Sequence, residues 1–580
     1  MKRFLPNLLV AAVSFASMEV MAATDLVLLN GQIFTANRDQ PKVQAMAVEN
    51  GTVRQVGSDA QIKALIEPGT RVIDLGGKAL MPGLIDSHSH AIFGGLERVA
   101  ANMQDAVVSL DELEKRLRSW RDDGTAKHGD VLSVAGMSSA YWAQAQAFGK
   151  KFNAAEWANV PVVFTGSDHH TAWANNVMLK RAGINTELLN SLPAAERDTI
   201  GKLADGTPDG FLVDAGWDRV ASTMPVPSAA DMLKAAQTAV RYNNSLGITA
   251  WMDPAANAAP GEAVFAIKPT EKTVGVLPVY QALSQTGAMT VHVAALLVAN
   301  PKSRPADLDT LDKVRQQFQG IPNLTLPGIK IFADGVSEFP AQSAAMIEPY
   351  KNSHKRGELL IDPQHFGELV SAIDQRGWLV HIHAIGDRAV REALKGIEQA
   401  RKDRKSGVTH SITHLQMVNP KEFARFKPLN VIASMQLLWA TADDSTYGMI
   451  KPYVSAQAFR YQYPAHSLLK HGATLAGASD WPVSSPNPWN AMAQAMTRAG
   501  PLGVLNADER IDRETLFYAY TLNAARTIGL DKKIGSLTAG KQADFIVLDR
   551  DVFSVDESAL NDTQVLQTWF AGRQVYGEAL

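Results

Sequence analysis

Ala79-Leu80-Met81-Pro82-Gly83-Leu84-Ile85-Asp86-Ser87-His88-Ser89-His90 is the stretch that decides how this chain is read. It reads as a short apolar strand that delivers two histidines, one residue apart, at its end. Side chains on a strand alternate faces, so His88 and His90 point the same way and can grip one cation. Imidazole is the commonest protein ligand for zinc, and two of them supply half of a tetrahedral shell. An isolated His-x-His is a weak signal. Its weight comes from the text that follows.

Downstream, short apolar runs alternate with helical stretches, as in a parallel α/β fold. Candidate strands are Gly247 to Met252, Thr290 to Val298, Gly328 to Ala333, Trp378 to His383, Val408 to His414, Val431 to Met435 and Thr474 to Ala478. With the strand before His88 they complete the set for a (β/α)8 TIM-like barrel, whose chemistry sits at the C-terminal strand ends. A barrel needs ~250 residues. Residues 81–529 exceed that, so an insertion is expected around residues 100–245.

Polar residues fall on or near the ends of these strands in a way that an ordinary core would not tolerate. They are His88 and His90, Lys330, His383, His414 and Asp480. Buried charge is expensive unless it is paired or bound to metal, so convergence on one divalent ion or two explains the set together. Each has a plainer reading. Lys330 can pair with Asp334, and Asp387 with Arg388; His381 shares a face with His383 and reads as a supporting or substrate-facing residue. His410, four residues before His414, belongs deeper in the barrel as a satisfied core histidine.

Toward the ends the text becomes strand-rich. Leu26 to Leu29 runs into the turn Asn30-Gly31, and Ala45 to Val53 carries Asn50-Gly51 between apolar runs, a strong hairpin signal because both residues tolerate positive φ. Similar text returns from Gly535 to Tyr576. Residues 23–80 and 530–580 therefore read as one small β-sandwich domain built from both chain ends.

Length, charge and leader narrow the class. At 580 residues the chain exceeds one ordinary core, and a net charge of −3 carries no signal for nucleic acid. Lys2 and Arg3, an apolar stretch from Phe4 to Ala16 and small residues at Ala22 and Ala23 follow the plan of a secretory signal peptide over residues 1–22, cut after Ala22. A periplasmic or secreted protein is expected. The apolar run falls short of the ~20 residues that span a bilayer, so no stable membrane anchor is expected. There is no cysteine, hence no disulfide and no thiolate ligand; any metal is held by His, carboxylate or a modified Lys.

Taken together, Pro82-Gly83-Leu84-Ile85-Asp86 with the histidine pair, His383-Ala384-Ile385-Gly386-Asp387 and the closing Gly535-Ser536-Leu537-Thr538-Ala539-Gly540-Lys541-Gln542-Ala543-Asp544 resemble the metal-dependent amidohydrolase superfamily. The resemblance covers nearly the whole mature chain and is greatest to the branch that includes N-substituted formamide deformylase. It implies that His88 and His90 bind a first metal, His383 and His414 a second, and that Lys330, carboxylated in many relatives, bridges them. Asp480 matches the aspartate that touches a metal and shuttles the proton. Asp168-His169-His170-Thr171-Ala172-Trp173-Ala174-Asn175 resembles a segment of this branch that faces the active site from the insertion, with His170 as the contact.

The activity so implied is hydrolysis of a non-peptide C–N bond, in an N-acyl or N-formyl amine, by metal-bound hydroxide, with zinc as the expected ion. Asp480 would take the proton from the attacking water and return it to the departing nitrogen. Hydrolysis of a cyclic amide or lactone, and deamination of an aromatic amine, use the same first step and stay open. A periplasmic binding or regulatory protein on the same fold is the non-enzymatic alternative. Trp142, Trp439, Trp481 and Trp489 lie in loop-like text near the expected mouth, and Trp439 and Trp481 are expected to bind an apolar or aromatic part of a small-molecule substrate.

Overall fold

The computed structural model describes residues 24–579 except 261, 263, 265, 266, 404 and 405. Residues 1–22, expected to be a signal peptide, therefore lie outside the described residues. Eight parallel strands form the central sheet: Leu84–Asp86, Ile248–Asp253, His292–Val298, Leu324–Phe332, Leu379–Ala384, His410–His414, Val431–Met435 and Thr474–Gly477. Each pairs in parallel with its neighbour in sequence. The ring draws shut where the Ser87 N–H donates to the Gly477 carbonyl at 3.0 Å. These strands are buried almost throughout, which is why they read as continuous apolar runs rather than alternating ones. This is a TIM-like barrel.

Register sets which side chains share a layer. Lys330 pairs with His381 and Phe332 with His383, so His383 lies two residues nearer the C-terminal mouth than His381 on the same face. Ala384 pairs with His414, which brings the ends of the fifth and sixth strands level.

The two chain ends form the β-sandwich. One sheet runs Thr52–Gly57, Ala45–Glu49, Leu26–Leu29 and Arg71–Asp74; the other interleaves C-terminal strands Arg573–Tyr576, Val565–Phe570 and Phe545–Leu548 with N-terminal strands Ala79–Pro82, Gln32–Phe34 and Lys42–Val43. Leu28, Val48, Leu80, Phe545 and Trp569 meet in their shared core. Asn50 and Gly51 sit at φ 49° and 73°, the positive values that a two-residue hairpin loop requires. A buried contact of 3.0 Å between His292 Nε2 and Asp544 ties this domain to the third barrel strand.

Between the first barrel helix, Ala91–Arg98, and the helix Ala229–Ser245 lies an inserted six-stranded sheet that spans Lys127–His128 to Pro208–Val213. An aromatic core of Tyr141, Trp142, Phe148, Phe152, Trp157, Phe164 and Trp173 holds it together. Helix Ala229–Ser245 packs on Ala91–Arg98 and on the second barrel strand. It therefore belongs to the barrel's helical layer, and the inserted segment ends before it rather than at residue 245. No helix among the described residues is long and apolar enough to cross a membrane.

Candidate metal centre

The first strand stops at Asp86, so His88 and His90 stand in the loop beyond it. Strand alternation is therefore not what brings them together. The loop is pinned instead by hydrogen bonds: the His88 N–H donates to Asp86 Oδ1 at 3.1 Å, the Asp480 N–H to the His88 carbonyl at 2.8 Å, and the His90 N–H to the Trp481 carbonyl at 2.8 Å. Asp86 also accepts from the N–H and hydroxyl of Ser479. Burial pushes its carboxyl up to about 7. The loops after the first and eighth strands are thus one stitched unit.

On that unit, Asp480 Oδ1 lies 3.0 Å from His88 Nε2 and 3.3 Å from His90 Nε2, while Asp480 Oδ2 lies 3.8 Å from His414 Nδ1. Ligand atoms of His88, His414 and Asp480 fall within 4.8 Å of one another. The His383 ring centroid is 4.4 Å from that of His414. His383 Nε2–H donates to the Gly335 carbonyl at 3.0 Å, which leaves Nδ1 as its available ligand atom. His414 and Asp480 are held at φ 74° and 59°, values that non-glycine residues adopt at a cost and that cluster at functional sites.

Burial drives the His88 imidazole down to about 3 and those of His383 and His414 well below their ordinary value. Neutral imidazole is the form that binds metal. For Asp480, burial alone would raise the carboxyl, but the facing imidazoles, His88 foremost, hold it well below the usual range. It stays ionised. Lys330 is fully buried, and its Nζ, 4.6 Å from the centre of the Phe332 ring, has no hydrogen-bond partner among the described residues. Burial lowers the amine to about 7. The alternative partner, Asp334, is already satisfied by the N–H groups of Ala345, Ile385 and Gly386. His414 Nδ1 is likewise buried without a hydrogen-bond partner among the described residues. A buried amine and a buried imidazole nitrogen without hydrogen-bond partners among the described residues, beside an ionised carboxylate, fit a bound divalent cation.

His88, His90, Lys330, His383, His414 and Asp480 all line one cavity of about 770 Å3. Its walls add Phe93, Leu96, Trp217, Met224 and Phe332, with His170 projecting from the insertion. The other sequence expectations fare differently. His381 is wholly buried and does not line the cavity; its Nε2 lies 2.6 Å from His88 Nδ1 and its Nδ1 2.6 Å from Ser411 Oγ. It stands behind His88, a candidate ligand, rather than facing the cavity. His410 accepts the Val380 N–H and meets Asp374 at 3.0 Å, a satisfied core residue. Asp387 accepts the Ile347 N–H, and no ion pair with Arg388 occurs among the described residues.

Trp142, Trp439, Trp481 and Trp489 do not line the cavity. Trp439 stacks behind the His414 ring, 5.8 Å away at an interplanar angle of 6°. Trp481 packs inward against Tyr242, beside Gly94, because the turn at Asp480 directs the next side chain back under the first helix. Trp142 is spent in the insertion's core, its indole N–H donating to Thr171 Oγ1 at 2.7 Å, and Trp489 is fully buried. Sequence reasoning missed Asp214, which reaches His170 Nδ1 at 2.7 Å, and assigned no role to Asp86. Asp86 carried a signal, its place two residues before His88; Asp214 carried none.

Comparison with known proteins agrees with this picture. A profile described as the Amidohydrolase family matches residues 71–576. Protein LONG AFTER FAR-RED 3 of Arabidopsis thaliana is 31% identical over 95% of this chain and 91% of its own length. N-substituted formamide deformylase of Arthrobacter pascens is 24% identical over 94% of this chain and 97% of its own. Among solved structures, an uncharacterized metal-dependent hydrolase from Pyrococcus horikoshii superimposes with a TM-score of 0.70 at 25% identity, covering 92% of this chain and 99% of that one.

Proposed function

Because the chain belongs to the amidohydrolase family, we propose that it is a metal-dependent hydrolase of a non-peptide C–N bond, in an N-acyl or N-formyl amine. One observation carries this reading: an ionised carboxylate, neutral histidines and a buried lysine amine line one cavity whose walls include Phe93, Leu96 and Met224. The likeness to N-substituted formamide deformylase supports the formyl end of the range.

His88 and His90 would hold one divalent ion, His383 and His414 a second, with zinc the best match to a set of imidazoles and carboxylate. Lys330 stands among them. An amine lowered to about 7 is substantially neutral at neutral pH, the state that could take up carbon dioxide as a carbamate and so offer oxygen ligands. When bound, such an ion acidifies a water molecule and polarises a carbonyl group.

Asp480 does the remaining work. Its carboxylate oxygens accept the proton of the attacking water and return it to the departing nitrogen, which leaves as a neutral amine. Phe93, Leu96 and Met224 line the cavity and suit an apolar substituent on the substrate. The leader pattern of residues 1–22 supports a periplasmic or secreted location, for which the mature protein would begin at Ala23.

The test is metal analysis of purified protein together with a panel of N-formyl and N-acyl amines, cyclic amides, lactones and aromatic amines. Wild type should turn over an N-acyl or N-formyl amine. Asp480→Asn should lower kcat by about 10²- to 10⁴-fold. Undiminished turnover in that variant sinks the proton-transfer role, and turnover confined to lactones or aromatic amines sinks the substrate class.

A further inference from the structure

His170 and Asp214 both belong to the insertion, yet they stand against the barrel's centre. His170 lines the cavity that Lys330, His383, His414 and Asp480 also line, with its ring centroid 6.0 Å from that of His383. Two contacts join it to Asp214: the side chains meet at 2.7 Å, Nδ1 to Oδ1, and the Asp214 N–H donates to the His170 carbonyl at 2.8 Å. The backbone beneath is fixed as well. Asp168 Oδ1 accepts the N–H groups of His170 and Thr171 at 3.0 and 2.9 Å, and Trp142 anchors Thr171.

Asp214 is held at φ 42° and ψ −111°, a region that a non-glycine residue rarely visits and that must be over-determined by its surroundings. What surrounds it includes the loop after the fourth barrel strand. A Cβ on Gly335 would come within 3.2 Å of Asp214 Oδ2, and the Gly335 carbonyl is the one that accepts from His383 Nε2. One loop therefore sets both the candidate ligand His383 and the carboxylate that orients His170.

A carboxylate at Nδ1 fixes a proton on that nitrogen, so Nε2, across the ring, is the atom His170 can present to the cavity. We propose that the insertion supplies a catalytic residue to the barrel: His170, oriented by Asp214 as its positioning residue, hydrogen-bonds through Nε2 to the scissile amide of the substrate. The assignment rests on the hydrolytic reading above. His170 makes and breaks no covalent bond. It holds a contact that strengthens as charge redistributes over the amide in the transition state.

The test uses the metal-loaded full chain and the amide that wild type turns over best, with kcat, KM, metal content and melting temperature measured together. His170→Phe should lower kcat about 100-fold, with metal content and melting temperature unchanged. His170→Gln, which keeps a polar atom near the Nε2 position, should recover about tenfold of that loss. Asp214→Asn can donate to Nδ1 and so favours the wrong tautomer; it should lose about as much as His170→Phe, and the double variant no more than either. Activity of His170→Phe within about threefold of wild type overturns the assignment, as do losses that multiply in the double variant while the melting temperature falls. Wild type that carries metal but hydrolyses no amide overturns the hydrolytic reading and this assignment with it.

Discussion

His88 Nδ1 and His381 Nε2 stand 2.6 Å apart in a fully buried chain that continues from His381 Nδ1 to Ser411 Oγ. The chain can run in either direction. With Ser411 donating first, each ring passes a hydrogen bond outward and His88 Nε2–H faces Asp480. With His88 donating first, its Nε2 lone pair is bare and faces the same carboxylate at 3.0 Å, an arrangement that calls for a cation between them.

His381→Leu removes the partner that holds the metal-ready tautomer. Metal affinity should fall about 10- to 100-fold, read by titrating metal-free protein against a chromophoric chelator. His381→Gln, which can still accept from His88, should keep most of the affinity. Equal affinity in the Leu variant and wild type would show that the chain does not orient His88.

Lys330 is a buried amine without a hydrogen-bond partner among the described residues, a feature that costs stability in the absence of metal. Lys330→Met matches its length without the charge. Metal-free Lys330→Met should melt no lower than metal-free wild type, while the number of ions bound per chain falls. A variant that binds the full complement of metal would remove Lys330 from the site.

Asp218 lies beside the cavity, and burial, with the nearby charge of Asp214, raises its carboxyl to about 7. The sign follows from linkage. Above pH ~4 the unfolded chain gives up this proton, whereas the folded protein keeps it until about pH 7, so folding is progressively disfavoured across that interval. Asp218→Asn removes the titration. Its melting temperature relative to wild type should climb between pH 4 and pH 7 and then level off; a constant difference would mean that Asp218 titrates normally.

Gly94→Ala should destabilise although alanine favours a helix. Its Cβ would lie 2.4 Å from the Trp481 ring, which is confined by Tyr242, and overpacking of this kind costs about 1–3 kcal/mol. Because Trp481 follows Asp480, kcat should drop as well. Gly149→Ala is the control: its Cβ meets only Asn153 at 3.6 Å, so that variant should melt slightly higher at full activity. Equal melting temperatures for the two variants would refute the clash.

Much of this architecture was legible along the chain because it depends on local pattern. Val431–Met435 is a run of buried residues with no competing reading, and Asn50-Gly51 adopts the positive φ pair that its hairpin needs. His410 could be placed below His414 from strand periodicity alone, and it sits there, bound to Asp374. Trp439 and Trp481 were not legible in this way. Their chain positions put them near the mouth, but the direction of a side chain in a loop depends on backbone turns that no short-range pattern encodes; the positive φ at Asp480 is one such turn.

The same division runs through the metal centre. Read along the chain, the residue types on offer are plain: histidines without any cysteine, one lysine and one aspartate, each near a strand end of a repeating α/β pattern. Periodicity and composition are local properties, so they survive being read in one dimension. Folding in three dimensions is what stitches the loop of His88 and His90 to the eighth strand, denies Lys330 a partner in Asp334, and sets His381 behind His88 instead of in the cavity wall. It alone brought Asp214, 44 residues from His170, into contact with it. Such pairings depend on closing the barrel and docking the insertion against it, and the free energy that fixes them comes from contacts between segments far apart in the chain.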